Sequence, residues 1–508
     1  MLIVMNVGCV KAGAQVVAGD FNGDHRDDLA VGIPLEDIGA FADAGAVQVL
    51  YGRSVGLRVL NSQFWTQDEA GVPGDAAAND RFGAALAAGD FDKDGFDDLA
   101  IGVPGEWVGI MQSVGAITIL YGSAAGLTAD VNDLLHRSSP GVSGTIEAFV
   151  NFGASLASAD FNGDGFDDLV IGVVNDTVTA HDEAGSIHVL YGSALGLTPS
   201  GDRILHQDEA GVAESAETAD NFGAALATGD FDRDGFDDVA VAVPSERLPG
   251  AARAGAVHVL CGSITGLETA RSQLWHENSP GIPDVAQAND RFGHALSVGD
   301  FDDDRYDDLA IGVPGQDLDG VSSAGLVHVL YGSPNGLTAS RDQVWDQAAP
   351  AIGDAADEFS SFGRALAAGD FDDDGFDDLA IGAPGAAVNG EPDAGVVFVL
   401  YGSPAGLRGN GHQRWDQDAA GVGSPAEAGA RFGECLGAGD FDRDRAFDLA
   451  ISLPQQDVNA FADAGAITVL YGAKSALSAA GSQWWHQDQP GVADACEQSD
   501  NFGGPAVE

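Results

Sequence analysis

Seven short acidic runs recur along the chain with carboxylate or amide side chains at positions one, three, five and nine. They are Asp20, Asn22, Asp24 and Asp28; Asp90, Asp92, Asp94 and Asp98; Asp160, Asn162, Asp164 and Asp168; and Asp230, Asp232, Asp234 and Asp238. The last three are Asp300, Asp302, Asp304 and Asp308; Asp370, Asp372, Asp374 and Asp378; and Asp440, Asp442, Asp444 and Asp448. Short oxygen-bearing side chains at alternate positions of a tight loop converge on one point. The main-chain carbonyl of position seven adds a fifth oxygen, from Arg26, Phe96, Phe166, Phe236, Tyr306, Phe376 and Ala446 in turn. Ca²⁺ suits such a set, because it takes six to eight oxygen ligands in a flexible geometry; Mg²⁺ demands a stricter octahedron and is the weaker candidate.

Position six needs a sharp turn, which glycine takes without strain. Gly95, Gly165, Gly235 and Gly375 supply it, whereas His25, Arg305 and Arg445 stand there in repeats one, five and seven. A positive φ costs a non-glycine residue roughly 1 kcal/mol, so those three loops are expected to bind more weakly. Asp and Gly favour turns on their own account, and one such loop would be as well read as a solvated turn. Seven in register favour an ion site, with up to seven Ca²⁺ per chain. The additional aspartate at position eight, as in Asp97 and Asp167, reads as solvent-facing or as a turn hydrogen-bonder.

The charge balance points the same way. With 79 acidic against 22 basic residues the formal net charge is −57, which disfavours nucleic acid and anionic membrane surfaces as partners. Seven bound divalent ions would bring it to about −43. No apolar run reaches the length of a membrane-spanning helix. The first ten residues are apolar, without a basic flank or a small-residue cleavage site, and read as a strand rather than a secretory signal. Of the four cysteines, Cys261 and Cys435 fall in strand-like stretches as small core residues. Cys9 and Cys496 lie near the two ends and could meet only if the ends do.

The acidic loops start 70 residues apart, from Asp20 to Asp440, and other positions keep that register. An FG dipeptide precedes the loop at Phe82, Phe152, Phe222, Phe292, Phe362 and Phe432. A YG dipeptide follows at Tyr51, Tyr121, Tyr191, Tyr331, Tyr401 and Tyr471, with Cys261 in the fourth slot. Trp65, Trp275, Trp345, Trp415 and Trp485 close five units, and Leu135 and Leu205 the other two. Each unit holds four short apolar runs bounded by Gly, Pro and Asp, which are strand signals. In the second repeat these are FGAALAAGD, DDLAIGVP, GAITILYG and a weaker one near VNDLLHR.

Four strands repeated seven times predict an all-β, seven-bladed β-propeller of four-stranded antiparallel blades, a single domain over residues 1–508. An open solenoid is the rival, but its end repeats would need distinct polar caps, and here the end repeats resemble the middle ones. The first repeat has Ala12 and Gly13 where FG should stand, and the tail carries an eighth FG at Phe502 and Gly503. The tail is therefore expected to return to blade one, with Phe502 filling the empty slot.

FG at the start, the IGAPG of residues 381–385 and the acidic loop between them resemble FG-GAP repeats, across essentially the whole chain. That family forms the propeller head of integrin α chains and similar domains in glycosylphosphatidylinositol-specific phospholipase D and many bacterial surface proteins. The resemblance implies calcium in the loop joining the first two strands of a blade, and adhesion or ligand recognition outside the cell. Acidic loops in all seven blades exceed the subset usually loaded in integrin heads, and no further integrin domains follow, so a partner subunit is not implied.

The eleven histidines follow the repeat. His188, His258 and His328 share one slot and His136, His206, His276 and His486 another, which points to structural roles rather than a catalytic or zinc cluster. No GxSxG elbow, Walker loop or HExxH is present, and no catalytic constellation is recognised. In an up-and-down blade the acidic loop and the YGSxxGL turn share one face, and the two long loops the other. The long loops vary most, as in residues 105–113 and 245–254, and rigid scaffolds carry binding residues on such loops. Trp107, Met111, Phe41 and Phe461 offer apolar surface there, and Arg247 and Arg253 rare positive charge. The sequence is read as an extracellular, calcium-stabilised module for a protein or glycan ligand. The alternatives are the propeller body of a carbohydrate-active enzyme of the polysaccharide-lyase type, or a purely structural surface component.

Overall fold

The computed structural model describes residues 16–129 and 134–505. Twenty-eight strands form seven four-stranded sheets in sequential order, each pair antiparallel, and the sheets stand around a ring as the blades of a seven-bladed β-propeller. Blade one runs through Val16–Gly19, Asp28–Ile33, Ala46–Tyr51 and Arg58–Trp65. Blade seven is the same pattern at Leu436–Gly439, Asp448–Leu453, Ala466–Tyr471 and Ser478–Trp485. Blade two has the shortest fourth strand, Leu134–Leu135. Among the described residues no helix is long and apolar enough to cross a membrane.

The second and third strands of each blade are covered on both faces by the neighbouring blades, which is why they read as unbroken apolar runs. DLAIGV at 98–103 and AITIL at 116–120 are buried at every residue. The fourth strand lies at the rim, half exposed, and its tryptophan packs inward against the core shared with the next blade: Trp65, Trp275, Trp345, Trp415 and Trp485 all do so. Leu135 and Leu205 substitute in the same positions.

The FG phenylalanines sit in these inter-blade cores without exposure, at the point where the chain passes from one blade to the next. Phe82 N donates to Ala44 O of the preceding blade and Gly83 N to Gly102 O. At the seam between blades seven and one, Phe502 N donates to Ala464 O and Gly503 N to Gly32 O, the corresponding partners one turn of the ring later. Phe502 is fully buried with Val16, Leu29, Val31, Ile467 and Trp485. The tail thus supplies the FG element of blade one. Ala12 and Gly13, Cys9 and the N-terminal apolar run lie outside the described residues.

Candidate metal centres

Each acidic loop joins the first and second strands of its blade, and its shape is drawn by main-chain N–H groups donating inward. In the second loop, Asp90 Oδ1 accepts from Asp94 N at 3.0 Å and Asp90 Oδ2 from Gly95 N at 3.0 Å, while Asp94 Oδ1 accepts from Phe96 N at 3.1 Å. Position six has positive φ throughout, from 63° at His25, 72° at Arg305 and 84° at Arg445 to 92° at Gly95. Position four is left-handed too, at Gly23, Lys93, Gly163, Arg233, Asp303, Asp373 and Arg443. The sequence reading did not find this second turn, because residue type there varies freely.

The loops bring positions one, three and five together. One carboxylate oxygen from each of Asp90, Asp92 and Asp94 lies within 4.8 Å of the others, and so do those of Asp230, Asp232 and Asp234, of Asp300, Asp302 and Asp304, and of Asp370, Asp372 and Asp374. In loops one and three the amides of Asn22 and Asn162 instead turn toward Asp28 and Asp168, 2.8 Å and 3.2 Å away. Position nine is the buried member of the set. Asp98 Oδ2 accepts from Phe91 N at 3.0 Å and Oδ1 from Gly122 N, the glycine of YG, at 2.8 Å. Asp168, Asp238, Asp308, Asp378 and Asp448 repeat both bonds, and Asp28 accepts from Gly52 N.

Crowding and burial make these carboxyls poor anions when no cation is near. Burial pushes Asp98, Asp238, Asp308 and Asp378 up to about 8 and Asp448 to about 9, over the opposing main-chain hydrogen bonds. Asp372 rises to about 6 through burial and then the charges of Asp374 and Asp370. One oxygen of each of Asp302, Asp372 and Asp442 is buried without a hydrogen-bond partner. Converging carboxylates at positions one, three and five, with orphaned oxygens at position three, fit a divalent cation, whereas both oxygens of the position-nine carboxylate, as at Asp98, already accept main-chain hydrogen bonds.

Arginines from the fourth strand reach over three loops. Arg271 Nη1 lies 2.6 Å from Asp232 and its Nη2 3.0 Å from Asp234; Arg341 is 2.6 Å from Asp302; Arg408 is 3.9 Å from Asp372. These guanidiniums occupy the charge that an ion would otherwise meet.

Position eight departs from expectation. Its side chain faces neither solvent nor its own turn but the preceding blade: Asp97 Oδ2 accepts from Asp20 N at 2.8 Å, and Asp97 N donates to Asp20 O at 3.1 Å. Asp167, Asp237, Asp307 and Asp377 bind Asp90, Asp160, Asp230 and Asp300 in the same way, and Asp27 binds Asp440. A folded chain has to satisfy a buried N–H group, and here the neighbour's loop supplies the acceptor. Phe447 takes the slot in blade seven and keeps only the main-chain bond, to Asp370 O at 2.8 Å.

Six segments match the FG-GAP repeat model: residues 12–50, 82–120, 152–190, 222–260, 292–330 and 362–400. The chain is an FG-GAP repeat protein. Its curated relatives include phosphatidylinositol-glycan-specific phospholipase D of Rattus norvegicus, 34% identical over 205 residues, which are 40% of this chain and 23% of the relative. Integrin alpha-5 of Xenopus laevis is 31% identical over 246 residues, 46% of this chain and 20% of that one. The matched region is thus about a fifth of each relative's length. Among solved structures, BBS1N in complex with ARL6DN aligns over 87% of this chain and 90% of that chain, at 12% identity and a TM-score of 0.43. Rhamnogalacturonan lyase YesW aligns over 96% and 80%, at 11% identity and a TM-score of 0.40.

The face of this FG-GAP propeller opposite the acidic loops carries the long loops. Trp107, Ile110 and Met111 are exposed at the tip of one hairpin, and Phe149, from the following loop, donates its N–H to Gln112 O at 2.9 Å. Phe149 holds φ at 65° with its side chain exposed. The sequence reading singled out Trp107 and Met111 but not Ile110 or Phe149, which lies 38 residues beyond Met111 and joins it only through the loop pairing. It also missed a polar pair buried at the joints between blades: Gln67 Nε2 donates to Glu106 Oε2 at 2.7 Å, Gln207 to Glu246 at 2.7 Å and Gln487 to Glu36. The recurring 39-residue spacing of Gln and Glu was the available signal.

Proposed function

We propose that the chain is a calcium-binding recognition module acting outside the cell, with up to seven Ca²⁺ pinning the blade loops and a protein or glycan ligand taken on the long-loop face. The observation that carries the calcium reading is the convergence of three carboxylates in each of four loops, with orphaned buried oxygens on the position-three residues of blades five to seven. Asp20, Asn22, Asp24 and Asp28 and their counterparts in the other six loops are the ligands, with the carbonyl of position seven completing each set. The ion's work is structural: it neutralises carboxyls that burial has made costly to ionise, and it stiffens loops that also hold one blade to the next.

Recognition is supported by the contiguous exposed surface of Trp107, Ile110, Met111 and Phe149 on a rigid frame. The similarity to integrin alpha chains and to phosphatidylinositol-glycan-specific phospholipase D supports an extracellular setting.

The deciding measurement is a calcium titration by calorimetry on chelator-stripped protein with parallel melting curves. Several ions per chain and a large rise in melting temperature are expected; fewer than two ions, or no stabilisation, would sink the calcium reading. The loaded protein is then passed over immobilised matrix proteins and acidic polysaccharides. Saturable retention lost in a Trp107→Ala, Met111→Ala, Phe149→Ala triple variant supports recognition at this face, whereas turnover of a polysaccharide would move the reading to an enzyme.

A further inference from the structure

The buried pair at the blade joints is reversed at one place. Between blades four and five the residues are Glu277 and Gln316, where three other joints, Gln67 with Glu106, Gln207 with Glu246 and Gln487 with Glu36, have glutamine first and glutamate second. With its amide oxygen accepting from Gln287 Nε2 at 2.8 Å, Gln316 donates to Glu277 Oε1 at 3.1 Å and to Asp290 at 3.2 Å. Glu277 is fully buried, no donor reaches its second oxygen, Oε2, and its carboxyl lies against that of Asp290, a second acid that a cation would relieve. The reversal places this carboxylate beside Asp284 and His328, and the three residues each offer a ligand atom within 4.8 Å of the other two.

His328 lies in the third strand of blade five, Leu326–Tyr331, without exposure. Its Nδ1 is 3.2 Å from Asp342 Oδ2, a carboxylate buried beside it, and its Nε2 has no partner. A carboxylate on one imidazole nitrogen fixes the tautomer that leaves a lone pair on the other, which is how metal-binding histidines are commonly held. Asp284 is half-buried in the loop from blade four to blade five and gives an approach from solvent.

The sibling blades show what is particular here. Blade three has the same dyad, His188 with Asp202 at 3.1 Å, but Arg137 stands in place of Glu277 and Gly144 in place of Asp284. There the Arg137 guanidinium donates to Asp176 at 2.6 Å and supplies a positive charge from the protein itself. Blade four has His258 beside Gln207, with Ser272 where the dyad aspartate would be. The joint between blades four and five combines the oriented imidazole with two converging carboxylates.

We propose that Glu277, Asp284 and His328 Nε2 bind one divalent transition-metal ion, with zinc as its type, at a site separate from the seven acidic loops. One imidazole nitrogen with carboxylate oxygens suits zinc better than calcium, which prefers oxygen alone. Asp342 is a positioning residue. The site does not depend on the calcium reading, since it shares no residue with the loops.

The test uses the full chain, stripped with chelator and reloaded with excess calcium so that the acidic loops are filled, then titrated with Co²⁺ alone. Wild type is expected to take up one Co²⁺ with visible ligand-field absorption, and Zn²⁺ to displace it. His328→Thr together with Asp342→Ser copies Thr468 and Ser482 of blade seven and leaves no buried carboxylate without its imidazole, Glu277→Gln copies Gln207, and Asp284→Ser copies Ser424 on the accessible side, so each change is already tolerated in a sibling blade. The first two should abolish the absorption and the third weaken uptake, with calcium-loaded melting temperatures unchanged. Asp342→Asn should weaken cobalt about 10–100-fold. Absence of cobalt uptake by the calcium-loaded wild type, or equal uptake by the His328 and Glu277 variants, would overturn the proposal.

Discussion

Asp27 Oδ2 accepts a hydrogen bond from Asp440 N at 2.8 Å, joining the first blade to the last across 413 positions of sequence. Asp27 N returns the contact to Asp440 O at 3.1 Å. The pair makes the seam equivalent to five other joints, so closure uses the same chemistry as the repeat. Asp27→Ala leaves the Asp440 N–H without its partner and is expected to destabilise the protein by about 1–3 kcal/mol. Asp27→Asn keeps an acceptor oxygen and should lose far less. Urea unfolding of both variants in saturating calcium makes the comparison.

Phe502 is the other half of the closure. Phe502→Ala removes a fully buried ring from the core shared by blades seven and one, a change worth about 3–5 kcal/mol in well-packed interiors. Deletion of residues 499–508 should lower the melting temperature at least as far. An unchanged melting temperature after the deletion would show that the ring closes without its tail.

Sensitivity to rising pH is built into the joints. Burial, then the charges of Asp500 and Asp494, push Glu36 up to about 9, and burial pushes Asp500 to about 7. Glu246 and Asp220 rise to about 8 and about 6, again chiefly through burial. A carboxyl whose pKa is raised on folding favours the folded state below its unfolded pKa, and that contribution is lost as pH rises through the folded value. These joints therefore lose stability between about pH 4 and pH 9. Glu36→Gln, which matches Gln456 of blade seven, should flatten that decline at saturating calcium. Melting temperatures of wild type and variant across the range test it, and parallel curves would refute it.

Calcium should fill the loops unequally. Loops two and three have glycine at position six and no arginine pairing with their carboxylates among the described residues, whereas Arg271 and Arg341 lie on loops four and five. Arg271→Ala is expected to tighten calcium binding in loop four severalfold while removing a surface ion pair worth at most about 1 kcal/mol. Calorimetry would show a strengthened class of sites, and an unchanged isotherm would mean that the guanidinium yields freely to the ion.

The 70-residue register made the blades readable, because seven copies of one pattern average out the ambiguity of any single strand. Residue type and spacing likewise disclosed the loops. Two relationships stayed hidden for a physical reason. Asp97 sits within an acidic run and looks like one more solvated charge, yet its acceptor oxygen is needed by Asp20 N, 77 residues earlier in the chain. The Glu277 and Gln316 reversal is visible only when repeats are compared pairwise, since each residue alone is an ordinary polar side chain at a blade edge. His328 was read as structural because its slot repeats, and the slot does repeat; its neighbours do not.

The return of Phe502 to blade one has a mechanical consequence. The first and last strands described here leave the disc at the same seam, so tension applied to the two ends does not travel around the ring. It is borne at that seam, by the tail's contacts with blade one, the Asp27 and Asp440 pair and the core the two blades share. The remaining six joints carry none of the load until that clasp has opened.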